Sequence, residues 1–310
     1  MSSGRWTVLA GLMLLMLAGP RLAPYDPARS FPGYAFAPPM RPHLVDDRGV
    51  WHLPFAYPLR VIDPLERTYA EDRSRRIGFA SPEPWFVLGA DALGRDVWSR
   101  LLAGARLSLG VATLAGAAAL LLGALLGATA AYAGGWIEHA LMRAADVVMV
   151  LPAIYLVLAL RGALPLVLST AQVFTALAGV MALIGWPSVA RGVRGIVTVE
   201  SRAEYAEAAR ALGASPARVV WRHLLPATRG FLGVQATLLI PGFVMAEATL
   251  SFAGFGFAEP ASSWGAMLRD ASQVRVAVEA PWLLAPAIAL TATVFVIHAL
   301  SGVTHTTSGS

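Results

Sequence analysis

Any chemistry in this chain would have to come from carboxylates, arginines and histidines, because cysteine and lysine are both absent. Without cysteine, disulfides, thiolate metal sites and thiol catalysis are excluded. All 24 basic residues are arginine, so a phosphate-binding loop of the G-x-x-x-x-G-K-[ST] type cannot be built here. An ATPase of that type would have to be a partner chain. Asp91, Arg95 and Asp96 stand close enough together to suggest acid–base or metal chemistry, but Asp91 is read instead as the cap of the helix that carries the others. His43, His52, His139, His223, His298 and His305 show no ligand spacing, and no G-x-S-x-G nucleophile motif occurs. Neither a metal site nor a catalytic residue is expected. Glu247 lies inside an apolar run, where acids are costly and usually functional. It is a candidate for lining a translocation path and meeting a cationic group, with a structural role equally open. Its place near the end of that run suggests that water reaches it.

The most organised polar stretch is Ser201 to Pro226, SRAEYAEAARALGASPARVVWRHLLP, set between two apolar runs. Ser201 followed by Glu204 fits a capping box that starts a helix near Arg202. Ala203, Ala206, Ala209 and Ala211 favour that helix, and Gly213 ends it. Ser215 and Pro216 start a second helix as N-cap and first helical residue, and Pro226 closes it. Two short helices joined by a sharp turn are therefore expected. A soluble segment this ordered, between two spans, implies that another protein reads it.

The elements that must position these residues are membrane helices. Of the 310 residues, 56% are hydrophobic and 14% charged, whereas soluble domains carry about a quarter charged. Six apolar segments stand out, at Trp6–Gly19, Leu107–Ala133, Ala140–Leu160, Leu166–Trp186, Phe231–Thr249 and Trp282–Leu300. The first reads as a retained anchor rather than a cleaved signal, since Pro20 and Arg21 make a poor cleavage site. Arg143, in the loop between spans two and three, and seven arginines between Arg191 and Arg229 place those loops in the cytoplasm, with both termini. The net charge of +5 is assigned to this topology and not to nucleic acid. The long loop from about Leu22 to Arg100 then faces outward. It is too long to be structureless, begins proline-rich, and carries a hairpin signal at His43–Leu53 around D-D-R-G. Within the helices, Arg143 and Asp146 can pair at i,i+3. Gly123 and Gly127 form a small packing face, and Pro152 and Pro187 should kink their helices.

Glu207-Ala208-Ala209, Gly213 and Leu225-Pro226 resemble the EAA loop of ABC-importer permeases, and R-H-x-L-P is similar to its peptide-transporter branch. Leu88–Leu109 resembles the block before that branch's second span. Gly134-Gly135-Trp136 with Leu141-Met142-Arg143 and Asp146 resembles its loop into span three, and Leu250–Trp264 its block after span five. The chain is thus identified as a member of the dipeptide, oligopeptide and nickel transporter family, as the second (C-type) permease. Two departures stand out: Ala227 where the family commonly has Asn, and HALSGVTHTTSGS where it has a polar tail.

The resemblance implies an all-α membrane protein with six transmembrane helices, a type I importer core in the last five, and an outer loop insertion. The expected divisions are an anchor over 1–23, the outer loop over 24–88, a core over 89–301 with a coupling loop at 199–226, and a tail over 302–310. It further implies coupling to two cytoplasmic ATPases through Glu207, Ala208, Ala209, Gly213, Ser215, Arg218, Arg222, Leu225 and Pro226. Glu207 would face an arginine of the ATPase. A second permease subunit would complete the pathway, and an extracytoplasmic binding protein would deliver substrate. No cofactor is expected on this chain, since ATP and magnesium would sit on the ATPases. The location implied is the bacterial cytoplasmic (inner) membrane. The substrate class implied is peptides, with nickel chelates, opines or another small solute as alternatives and a membrane enzyme or channel as the remote one.

Overall fold

The computed structural model describes residues 11, 18–19, 21–63, 67–78, 83–152, 155, 169–272 and 278–302. Most of the first apolar segment and the tail from 303 onward lie outside the described residues. Two antiparallel hairpins come first: β1 (His43–Val45) with β2 (Trp51–Phe55), and β3 (Leu59–Asp63) with β4 (Thr68–Glu71). The helices follow: α1 (Val97–Ala133), α2 (Gly135–Val150), α3 (Thr170–Glu200), α4 (Glu204–Ala211), α5 (Pro216–Val219), a π-helical turn at Val220–Leu224, and α6 (Leu225–Ala227). Then come α7 (Arg229–Phe252), α8 (Trp264–Asp270), a 3₁₀ turn at Pro281–Leu284, and α9 (Ala285–Gly302). This is an all-α membrane fold with two small hairpins. Four helical stretches are long and apolar enough to cross a membrane: Val97–Ala133, Thr170–Glu200, Arg229–Phe252 and Pro281–Ala299.

The hairpin signal at His43–Leu53 is borne out. His43 pairs with Phe55 and Val45 with Trp51. The Asp46 carboxylate accepts backbone N–H bonds from Arg48 and Val50, both at 2.9 Å, and so closes the turn.

Several boundaries differ from the sequence expectation. The fourth apolar segment does not stop at Trp186. Its helix runs to Glu200 with Pro187 inside, and a capping box between Ser169 and Gln172 starts it. Arg191 and Arg194 are therefore helical residues, paired with Asp146 and Glu138 of α2. Asp146 thus pairs with Arg191 instead of Arg143, because the facing helix offers a closer cation than its own i−3 position. Pro152 does not kink α2, which ends at Val150; Leu151 is already extended (ψ 120°), as a residue before proline prefers. The remainder of the third apolar segment, apart from Tyr155, falls outside the described residues.

The chain divides into two compact units, one holding Leu109–Glu247 and the chain from Thr293, the other Gly11–Ser108 and Ala248–Ala292. In the first unit, Ala124 and Ala128 of α1 pack on Val189, Val193 and Val197 of α3. Glycine permits this approach, since a Cβ on Gly123 would meet the Val189 side chain and one on Gly127 the Ala190 backbone. In the second unit, Phe31, Met40, Trp85 and Phe86 form the core of the 24–88 segment. Tyr25, Phe31, Phe86 and Tyr34 meet edge to face with centroids 5.2 to 5.6 Å apart.

Candidate functional site

The Ser201–Pro226 island is built on the end of α3. Ser201 does not cap α4 as its sequence suggests. It is the C-cap of α3, and its hydroxyl donates to Thr198 O at 2.9 Å, so the N-cap of α4 falls to Ala203 with no side-chain bond. Glu204 and Glu207 stand in the first turn of α4 and Arg210 in its last, each at the end its charge favours. Gly213 ends the helix as expected. At φ 79° it donates to Arg210 O, and Ala214 N–H donates to Ala209 O, which together make a Schellman turn. Ser215 then caps α5 by accepting from Arg218 N–H, with Pro216 in the first turn. Pro226 does not close the second helix. The Leu225 N–H reaches back five residues to Val220 O, so the chain passes Pro226 through a wide turn and continues into α6.

This arrangement buries one face and exposes the other. Ala206, Val219 and Leu224 are fully buried against the valines of α3. Glu207, Ala208, Gly213, Ser215, Arg218 and Arg222 are exposed, while Ala209, Leu225 and Pro226 are half-buried supports. Sequence reasoning missed the apolar residues on the exposed side. Leu212 is 88% exposed, Trp221 61% and Tyr205 42%. Their signal was present in the sequence, as large apolar residues in a polar segment at positions the helix periodicity turns outward. Among the described residues, Glu207 forms no ion pair. The Tyr205 hydroxyl donates to Glu200, and that bond, with some burial, pushes the phenol up to about 12.

Asp91, Arg95 and Asp96 belong to a different construction, in the second unit. Asp96, not Asp91, caps α1: its Oδ2 accepts from Ser99 N–H at 2.8 Å and from the Ser99 hydroxyl at 2.6 Å. Asp91 instead receives Arg95 Nε at 2.7 Å and Arg100 Nη1. Arg95 also forks onto Glu259, and Arg100 reaches Ser262 Oγ at 3.1 Å and Asp270 at 3.4 Å. Arg95 holds the Glu259 carboxyl below its usual range, whereas burial pushes Asp270 up. Asp91, Glu259 and Asp270 each face an arginine, so the network fastens the start of α1 to the chain around α8 and presents no free base. The capping expectation for Asp91 fails because its partners, the Arg95 and Arg100 guanidinium groups, give a stronger match than a helix N-terminus.

Glu247 is fully buried within α7, so the water access suggested by its place in the sequence is not observed.

Residues 98–305 match the family described as the inner membrane component of binding-protein-dependent transport systems. The chain is 34% identical over 190 residues to the oligopeptide transport system permease protein of Bacillus subtilis, covering 61% of this chain and 60% of that protein. It is 33% identical over 225 residues to the dipeptide transport system permease protein of the same organism, covering 72% and 68%. It is 33% identical over 187 residues to a glutathione transport system permease protein of Pectobacterium atrosepticum, covering 59% of each. The chain thus covers less than two thirds of some of these relatives. The matched region holds more than half of the chain and includes all four membrane-length helical stretches except the Val97 residue that opens the first. The chain therefore belongs to the family of inner membrane components of binding-protein-dependent transport systems, among the peptide ABC permeases.

Proposed function

We propose that this chain is a permease subunit that forms half of the translocation pathway of an ATP-driven peptide importer. A second permease would complete the pathway, two ATPases would dock from the cytoplasmic side, one of them on the Ser201–Pro226 island, and a binding protein would deliver the peptide. Both termini would be cytoplasmic, in the inner membrane. ATP and magnesium would sit on the ATPases.

One observation carries the coupling role: the island exposes Leu212, Trp221 and an acid, Glu207, that no cation of the described chain meets. Apolar anchors ringed by arginines and the accessible carboxylates of Glu204 and Glu207 are the composition of a docking patch. Leu225, Pro226 and Ala209 support the patch from below, while Gly213 and Ser215 set the turn between its helices. Movement of the ATPases would swing this patch, and its buried face on α3 would transmit the motion to the helices. Two global states biased by ligands at both ends would follow. Glu247 is the acid we assign to the pathway; it is fully enclosed here and would line the pathway only in the other of the two states.

The test is reconstitution with the cognate partners. The ATPases should co-purify with the chain in mild detergent, and the assembled vesicles should take up a labelled tripeptide only with ATP on the cytoplasmic side. Failure to recover an ATPase, or uptake without one, would remove this reading.

A further inference from the structure

The 24–88 segment and the chain around Trp282 enclose a cleft of about 340 Å³, walled by Phe36, Pro38, Tyr69 and Trp282 and charged by Arg67 and Glu279. Phe36 at φ 57° and Arg67 at φ 53° are the two non-glycine residues with positive φ among the described residues, and both line this cleft. A left-handed backbone is unfavourable at bulky residues. It persists where its surroundings over-determine it, which concentrates it at ligand clamps.

The surroundings here are well tied. Phe36 N–H donates to Asp91 O at 2.9 Å, and the Tyr69 hydroxyl donates to Ala35 O at 2.7 Å. Trp282 Nε1 donates to Ala90 O at 3.1 Å, and Ala90 N–H to Ala37 O at 2.8 Å. A Cβ on Gly89, at φ 72°, would strike the Trp282 ring, so the indole is seated directly on the backbone.

The strained pair also meets itself. The Arg67 guanidinium lies 4.3 Å over the Phe36 ring. Stacking occupies the flat face of a guanidinium and leaves its in-plane N–H fork, which matches a carboxylate. Arg67 is exposed, and among the described residues no carboxylate forms an ion pair with it. An aromatic box with a pre-set fork and an acid on its rim suits a small zwitterion with an apolar side chain.

We propose that this cleft captures the carboxylate end of a short peptide. Arg67 binds the carboxylate, Phe36, Tyr69 and Trp282 take the terminal side chain, and Glu279 supplies negative charge at the rim. The proposal rests on the reading of the chain as a peptide permease subunit and adds a binding site on the 24–88 segment and the chain around Trp282.

The experiment uses the full chain in lipid nanodiscs, with the tripeptide Ala-Ala-Phe as probe and its C-terminal amide as control, read by titration calorimetry. Saturable binding of the free acid is expected. Amidation and Arg67→Ala should each raise Kd at least about tenfold, as loss of a charge-assisted bidentate pair does, with Arg67→Lys in between. The amide control needs no variant, so misfolding of Arg67→Ala cannot mimic the result. Absence of saturable binding, equal binding of acid and amide, or an unchanged Kd in Arg67→Ala would each overturn the site. If the assembled importer takes up peptide while the nanodisc chain binds none, the site fails and the proposed function stands. If the chain binds the acid but the importer carries no peptide, the function fails and the cleft keeps its ligand.

Discussion

The Ser201–Pro226 island and the network around Asp91 are both rich in arginine and acid, and they use those charges in opposite ways. In the network, Arg95 and Arg100 are almost wholly buried, and Asp91, Glu259 and Asp270 each face them. On the island, Glu207, Arg218 and Arg222 are exposed beside Leu212 and Trp221. Mutually satisfied charges hold a fold together, whereas accessible charges around exposed apolar side chains are arranged for something else to meet. The type of residue does not separate the two cases, but burial and pairing do.

The comparison is broken most severely at Arg100. Arg100→Ala would leave Asp91 and Asp270 short of a cation in a buried setting, at a cost of about 3–5 kcal/mol. Thermal unfolding in detergent should show a large loss, and an unchanged melting temperature would mean that the network holds nothing. The opposite behaviour is expected of Leu212→Asp. An exposed position costs within about 0.5 kcal/mol of fold stability, yet capture of the ATPase should fall tenfold or more if Leu212 is an anchor. A destabilised Leu212→Asp with normal capture would make the island an ordinary part of the fold.

Smaller effects sharpen the picture. Gly213→Val places a branched side chain at φ 79° and should cost about 1–2 kcal/mol locally. Hydrogen exchange over residues 204–224 should rise while α3 stays protected; uniform protection would show that the turn tolerates side chains. At Asp46, the Val50 N–H and the His52 ring hold the carboxyl down, to about 2. A depressed carboxylate stabilises above its unfolded value and loses that contribution as pH falls through the folded one. Exchange protection of the β1–β2 turn, corrected for intrinsic rates, should therefore persist at pH 4 and fade toward pH 2, and Asp46→Asn should remove this dependence. Equal fading in the Asn variant would assign it elsewhere.

What could be read from sequence was local. Apolar runs announced the long helices, D-D-R-G announced the hairpin, and Gly213 with Ser215-Pro216 announced a turn between two helices, because each signal acts within a few residues. The failures share a cause. Ser201 looked like a cap, but its hydroxyl bonds back to Thr198 because α3 had not yet ended. Asp146 looked like a partner for Arg143, but Arg191 is 45 residues away in sequence and nearer in space. Asp91 looked like a helix cap, while its network reaches residues more than 160 positions on. Pro226 looked like a stop, and a single π-helical turn carried the chain past it. The stacked Phe36–Arg67 pair had no sequence signal, since neither residue type favours the backbone it adopts.

The central claim is that Glu207, an accessible acid of the island, docks the energy-supplying partner, and Glu207→Lys tests it most directly. The side chain is exposed, so the variant should insert, fold and melt like the parent. In vesicles assembled with the cognate ATPases and binding protein, ATP-driven tripeptide uptake should fall to background. Uptake at the parent's rate by a stably assembled Glu207→Lys importer would contradict the account.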